Sequence, residues 1–171
     1  MLRRKEAVVR QLTDGVRMLM KKNRVTVLHG QATLLGEGRV RVTPAGGGEA
    51  QPEELTAPHI LLATGSEPAA LPFLPFDGEQ VVSSTEALCF ERVPESLLVI
   101  GAGAVGLELG SVWRRLGAQV TVAEVLPRIL PFADRQVAQS LQRVLKAQGL
   151  DLRLQTRVSG ARRGEHGRTR G

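Results

Sequence analysis

Apolar side chains at Val8, Leu12, Val16 and Leu19 recur every three to four positions, the repeat of one helix face, and predict an amphipathic helix over residues 3–22 that Asn23 ends. The period then changes. Residues 25–28, 39–43 and 53–56 are short β-branched or alternating stretches parted by glycine-rich turns, the triple glycine 46–48 among them, which is the pattern of an antiparallel meander. A continuous apolar run at 59–63 reads as a buried strand. Pro68, Pro72 and Pro75 follow, and their fixed φ and missing N–H groups exclude regular helix and central strand from residues 68–77. That stretch is the expected linker between a first domain, 1–75, and a second, 76–171.

Past the linker, strand and helix patterns alternate. Residues 97–100 are a continuous apolar strand; Val105, Leu109, Val112, Trp113 and Leu116 line one face of a helix that Gly117 stops; residues 119–123 form the next strand. Asp134 can cap a second helix with the apolar face Val137, Leu141, Val144 and Leu145, stopped by Gly149, and residues 152–154 form a third strand. Successive βα units of this length predict parallel pairing and a doubly wound α/β sheet.

A net charge of +6 invites a nucleic-acid reading, but its distribution counts against one. Residues 1–24 carry +6 and residues 157–171 carry +4, while 25–156 hold ten cationic against fourteen acidic side chains, a net of −4. Four Phe, one Trp and no Tyr also leave few platforms for stacking bases. Apolar runs fall far short of the ~20 residues of a membrane span, and the basic start lacks the apolar core of a secretory signal. No nucleic acid and no membrane are therefore expected, and the chain reads as cytoplasmic. A single cysteine, Cys89, excludes an internal disulfide; beside Phe90 it reads as a small buried apolar residue. His29, His59 and His166 are scattered without metal-ligand spacing, so no metal site and no catalytic residue is assigned.

The chemistry concentrates after the strand at 97–100. Gly101, Ala102, Gly103, Ala104, Val105 and Gly106 place a G-x-G-x-x-G between that strand and the following helix. Gly101 permits the tight turn, Gly103 has no Cβ to obstruct a pyrophosphate, and Gly106 lets the helix lie close. Glu124 closes the second strand, where a carboxylate accepts hydrogen bonds from the adenosine ribose hydroxyls and repels a 2′-phosphate. This favours NAD over NADP, with Arg128 near enough in sequence to keep the alternative open. Glu108 on the same helix is either a favourable charge near the positive dipole end or a nicotinamide contact.

Residues 61–68, 82–85, 101–113 and 124–130 together resemble the dihydrolipoyl dehydrogenase branch of the flavin-dependent pyridine nucleotide-disulfide oxidoreductases, a resemblance that runs from about Arg3 to Arg162. It implies a Rossmann-type NAD domain, truncated at its C-terminal end, preceded by the C-terminal part of an FAD domain containing the meander. By resemblance, Ala32 offers backbone to the FAD adenine, and Thr64, Gly65 and Ser66 lie along the flavin cofactor. Gly101, Ala102, Gly103, Ala104, Val105, Gly106, Leu107 and Glu108 would cradle NAD, Glu124 would take the ribose, and Val158 would touch the adenine. The branch passes electrons from dihydrolipoamide through a disulfide and FAD to NAD, as a homodimer, in the cytoplasm or the mitochondrial matrix. Its first glycine motif, its C-x-x-x-x-C disulfide and its dimerisation domain do not occur in these 171 residues, which therefore read as an internal fragment inactive alone. The alternative is a non-catalytic dinucleotide-binding module or a decayed copy.

Overall fold

The computed structural model describes residues 1–45, 51–163 and 169–170; the turn at 46–48, His166 and most of the arginine- and glycine-rich tail lie outside these. The chain divides into two compact units, Met1–Ser66 and Glu67–Gly171. The division falls at residues 66–67, before the proline-rich stretch, and that stretch makes local bonds of its own. The Leu74 N–H donates to the Leu71 carbonyl at 2.9 Å, and one Asp77 carboxylate oxygen accepts the N–H groups of Glu79, Gln80 and Val81.

The first unit holds α1 (Leu2–Lys22), β1 (Gly30–Gly36), β2 (Arg39–Pro44) and β3 (Glu53–Thr56). Asn23 ends α1 as expected, both its N–H and its side-chain amide donating to the Leu19 carbonyl. The strands form an antiparallel meander in the order β1-β2-β3, with Ala32 opposite Val42 and Val40 opposite Leu55. Two expected strands are absent: residues 25–28 and 59–63 are irregular. A strand exists only through the ladder that satisfies its N–H and C=O groups. Strand β2 is already flanked on both sides, and neither segment joins the outer edge of β1 or β3. The 59–63 run is consequently open to solvent, with Leu61 90% exposed, rather than buried.

The second unit carries α2 (Ser84–Ala87), β4 (Ser96–Ile100), α3 (Ala104–Arg115), β5 (Gln119–Ala123), α4 (Arg135–Ala147), β6 (Asp151–Arg153) and the short strands β7 (Arg162–Arg163) and β8 (Thr169–Arg170). Strands β4, β5 and β6 pair in parallel in that order, with Val99 beside Val122 and Val122 beside Leu152. Strand order follows chain order, and α3 and α4 join successive parallel strands, giving the βαβαβ half of a doubly wound sheet. Both helix stops are as expected: Gly117 and Gly149 adopt φ of +111° and +90°. Asp134 caps α4 by accepting the N–H groups of Gln136 and Val137.

The core lies between helices and sheet, where Leu107 and Trp113 of α3, Val120 and Val122 of β5, and Ala138 and Leu145 of α4 meet Ile129 and Leu150. The buried helix faces agree with those expected at Trp113 and Leu145, with Leu141 packed against the core, and differ elsewhere. On α3 the buried stripe is Leu107, Gly110 and Trp113, while Val105 and Leu116 are exposed; on α4 it is Ala138 and Leu145, while Val137 and Val144 are exposed. Small residues set these stripes. A Cβ on Gly110 would stand 3.4 Å from a Val120 methyl, so α3 approaches β5 along its glycine. Trp113 is buried, donates from its indole N–H to the Ala87 carbonyl at 3.1 Å and packs on Phe90 with ring centroids 5.2 Å apart. The Arg114 guanidinium fills the space that a Cβ on Gly149 would need, at 2.6 Å, and also donates to the Ala118 carbonyl. Among the described residues no helix is long and apolar enough to cross a membrane.

Candidate functional site

Strand β4 delivers the chain to Gly101, whose φ of +100° turns it sharply and whose N–H donates to the Ala123 carbonyl at 2.8 Å. Gly103 then stands at the N-cap of α3 in extended conformation and makes no side-chain cap. The N–H groups of the first helical turn therefore point outward without an intrahelical acceptor, the arrangement that binds anions. The three glycines face different surroundings. A Cβ on Gly106 would lie 2.5 Å from the Gly101 carbonyl oxygen and 3.0 Å from a Val99 methyl, so this position is closed to any larger residue. At Gly103 nothing stands within 4 Å, and the space a side chain would occupy is open to an approaching ligand.

Glu124 follows β5 directly and is 7% exposed. One carboxylate oxygen accepts the Ala102 N–H at 2.7 Å and the other accepts the Leu126 N–H at 2.8 Å. Its backbone is held as well, the Glu124 N–H donating to the Arg153 carbonyl and its carbonyl accepting the Thr156 N–H. The structure thus brings the head of the glycine loop and the acid at the end of the next strand into direct contact. Each carboxylate oxygen offers two lone-pair sites, so both keep acceptor capacity for a hydroxyl. Arg128 turns inward: its guanidinium donates to the carbonyls of Pro131 and Ala133 within its own loop.

Other candidate residues sit further out. Ala104 and Val105 are exposed on the first turn of α3 and Leu107 is buried beneath it. Glu108 is exposed and lies one position past that first turn, where the dipole's influence has largely decayed. Val158 is half-buried in the irregular stretch after β6. In the first unit, Ala32 is exposed on β1, and Thr64, Gly65 and Ser66 are exposed in irregular chain, Gly65 with a φ of +81°. Cys89 is exposed rather than buried, because Ala87 and Phe90 make the apolar contacts at that corner. The described residues contain no group of three or more His, Cys, Asp or Glu that could hold a metal ion.

Residues 2–169 match the family described as pyridine nucleotide-disulphide oxidoreductase. The chain belongs to this family. The chain is 54% identical over 167 residues to dihydrolipoyl dehydrogenase 3 of Pseudomonas aeruginosa, a match spanning 98% of this chain and 35% of that protein. The mitochondrial dihydrolipoyl dehydrogenase of Homo sapiens is 40% identical over 169 residues, 98% of this chain and 33% of its own length. The chain therefore spans about a third of the length of the curated relatives it matches. The crystal structure of LpdA from Mycobacterium tuberculosis shares the fold with a TM-score of 0.79 at 24% identity, covering 95% of this chain and 38% of that one. Sequence reading did not single out Leu130, whose N–H donates to the Ala102 carbonyl of the glycine loop at 2.9 Å. Arg128 was weighed only as a phosphate contact, and nothing in a leucine signals that its N–H faces the glycine loop.

Proposed function

We propose that the chain forms the NAD-binding part, and one edge of the FAD site, of a dihydrolipoyl dehydrogenase. The observation that carries this reading is the open space at Gly103, at the uncapped start of α3 and one residue from the Ala102–Glu124 bond. Those residues fit a dinucleotide: outward N–H groups of α3 take the pyrophosphate, and the free acceptor capacity of Glu124 takes the adenosine ribose. A carboxylate held this firmly disfavours a 2′-phosphate, and Arg128, engaged by Pro131 and Ala133, does not offset that. Leu107 supports the helix start from beneath, Glu108 lies toward the nicotinamide and Val158 toward the adenine. When bound, NAD and FAD supply electron transfer from a dithiol to a nicotinamide. The dithiol would come from residues other than these 171, whose one cysteine is Cys89.

Ala32, Thr64, Gly65 and Ser66 supply exposed backbone to the flavin dinucleotide, but the described residues of the first unit include no glycine loop at a helix start to take its pyrophosphate. Dihydrolipoamide and a second subunit belong to the whole enzyme, in the cytoplasm or a mitochondrial matrix. Calorimetric titration of the purified chain tests the dinucleotide reading. NADH is expected to bind more tightly than NADPH by roughly ten- to hundredfold, the worth of hydrogen bonds to a charged group. Gly103→Ala, which meets no protein atom, is expected to keep the far-UV spectrum and to weaken NADH by at least about tenfold. Equal affinity for NADH and NADPH, or an unaffected Gly103→Ala, would remove the support.

A further inference from the structure

Ala102 has no solvent exposure, and both of its backbone polar groups are engaged from the segment that follows β5. Its N–H donates to the Glu124 carboxylate at 2.7 Å, and its carbonyl accepts the Leu130 N–H at 2.9 Å. Leu130 reaches that carbonyl in the left-handed region, at φ +46°, which costs a leucine energy and persists only where its surroundings enforce it. The enforcement is visible. The Ala133 N–H donates to the Leu130 carbonyl at 2.9 Å, Ile129 is wholly buried, and the Arg128 guanidinium donates to the Pro131 and Ala133 carbonyls, closing residues 128–133 into a turn.

We propose that Glu124 and Arg128 are positioning residues for the glycine loop, setting its shape before any dinucleotide arrives. Glu124 fixes Ala102 on its N–H side; Arg128, by closing the turn that carries Leu130, fixes it on its carbonyl side. The need arises from the loop's composition. Gly101 and Gly103 flank Ala102, and glycine has the widest backbone freedom, so a loop of this sequence would otherwise sample many orientations of its N–H groups. Bonds on both sides of Ala102 immobilise the two peptide planes between those glycines. A pre-set loop spares a ligand the cost of ordering it. This inference rests on the dinucleotide reading above and adds to it. Glu124 supports the loop as well as facing the ribose, and Arg128 works through Leu130 without touching the ligand.

The test separates positioning from contact. Binding of NADH, NADPH and an NADH analogue lacking the adenosine ribose 2′- and 3′-hydroxyls is measured on the chain, on Glu124→Gln and on Arg128→Met. Glu124→Gln is expected to weaken the analogue as well as NADH, each by at least about tenfold, because an amide cannot accept both N–H groups through two oxygens. Arg128→Met is expected to weaken NADH and NADPH by the same factor. An analogue whose affinity Glu124→Gln leaves unchanged would show that Glu124 acts through the ribose alone. A loss confined to NADPH in Arg128→Met would make the guanidinium a phosphate ligand. Either result overturns the proposal.

Amide hydrogen exchange without ligand supplies a second readout. Ala102 in Glu124→Gln, and Leu130 in Arg128→Met, are expected to exchange at least about tenfold faster while Val122 of β5 is unchanged. Loss of Val122 protection as well would overturn the proposal, because the residues would then hold the sheet and not the loop. If the unaltered chain binds no nucleotide, the reading of the site fails, and exchange alone decides the positioning role.

Discussion

Both units build a long helix and a three-stranded sheet, yet every buried side chain among the described residues lies in the second. The stripe on α1 is as regular as any on α3 or α4, but Val8, Leu12, Val16 and Leu19 are 43–65% exposed. Helix α3 closes on β5 because Gly110 lets it approach and because Val120 and Val122 stand beneath it. Strands β1, β2 and β3 offer α1 no buried residue. An apolar stripe therefore specifies a face, and a core forms only when a second element presents a matching one.

The contrast is sharpest in hydrogen exchange. Amides of α1, whose helix has no covered face, are expected to exchange close to unstructured rates, and those of β5 slower by at least about a thousandfold. Comparable protection in α1 and β5 would break the comparison. Side-chain truncation gives the next largest effect. Trp113→Ala removes a buried indole and its bond to Ala87, and is expected to cost about 3–5 kcal/mol in urea unfolding followed by far-UV circular dichroism. Leu12→Ala is expected to stay within about 0.5 kcal/mol. Equal losses would show that α1 is packed after all.

The smallest expected effect concerns caps. Helix α2 has a reciprocal capping box, with the Thr85 N–H donating to the Ser83 hydroxyl and Glu86 accepting the Ser83 N–H and hydroxyl, whereas α1 has no side-chain cap at its N-terminus. The bond from the Ser83 hydroxyl, then those from the backbone N–H groups of Ser83 and Glu86, hold the Glu86 carboxyl below its ordinary value. Its contribution is accordingly full above the normal carboxylate range and lost as pH falls through the lowered value. The gap in urea midpoint between the chain and Glu86→Gln is expected to close as pH falls through that window. A gap independent of pH would show that the carboxylate charge contributes nothing to the cap.

How far the fold and site were legible depends on which residues carried the signal. The strand, glycine loop and helix around Gly101 were readable because each glycine answers a local need, and Glu124 because its position after β5 is fixed by the βαβ geometry. Gly117 and Gly149 announced the helix ends for the same reason. The helix faces were misread where the buried stripe is made of small residues. Val137 outweighs Ala138 in hydropathy, yet Ala138 is the one that lies against the core. The apolar run at 59–63 carried no information about a pairing partner, and a strand is defined by its partner. Leu130 and Arg128 were illegible because their contribution lies in where their backbone and guanidinium point, which no periodicity encodes.

The guanidinium of Arg114 in the space beside Gly149 ties two distant positions of the sequence into a single mutational choice. Gly149 is closed to other residues by its φ of +90° and again by the side chain lying against it. Shortening Arg114 would clear the second obstacle and leave the first, while a side chain at Gly149 would have to displace an arginine that also holds the Ala118 carbonyl. Change at these two sites is thus expected to be non-additive. A lineage could vary one only by routes on which the other has already moved, which makes the ends of α3 and α4 drift together or not at all.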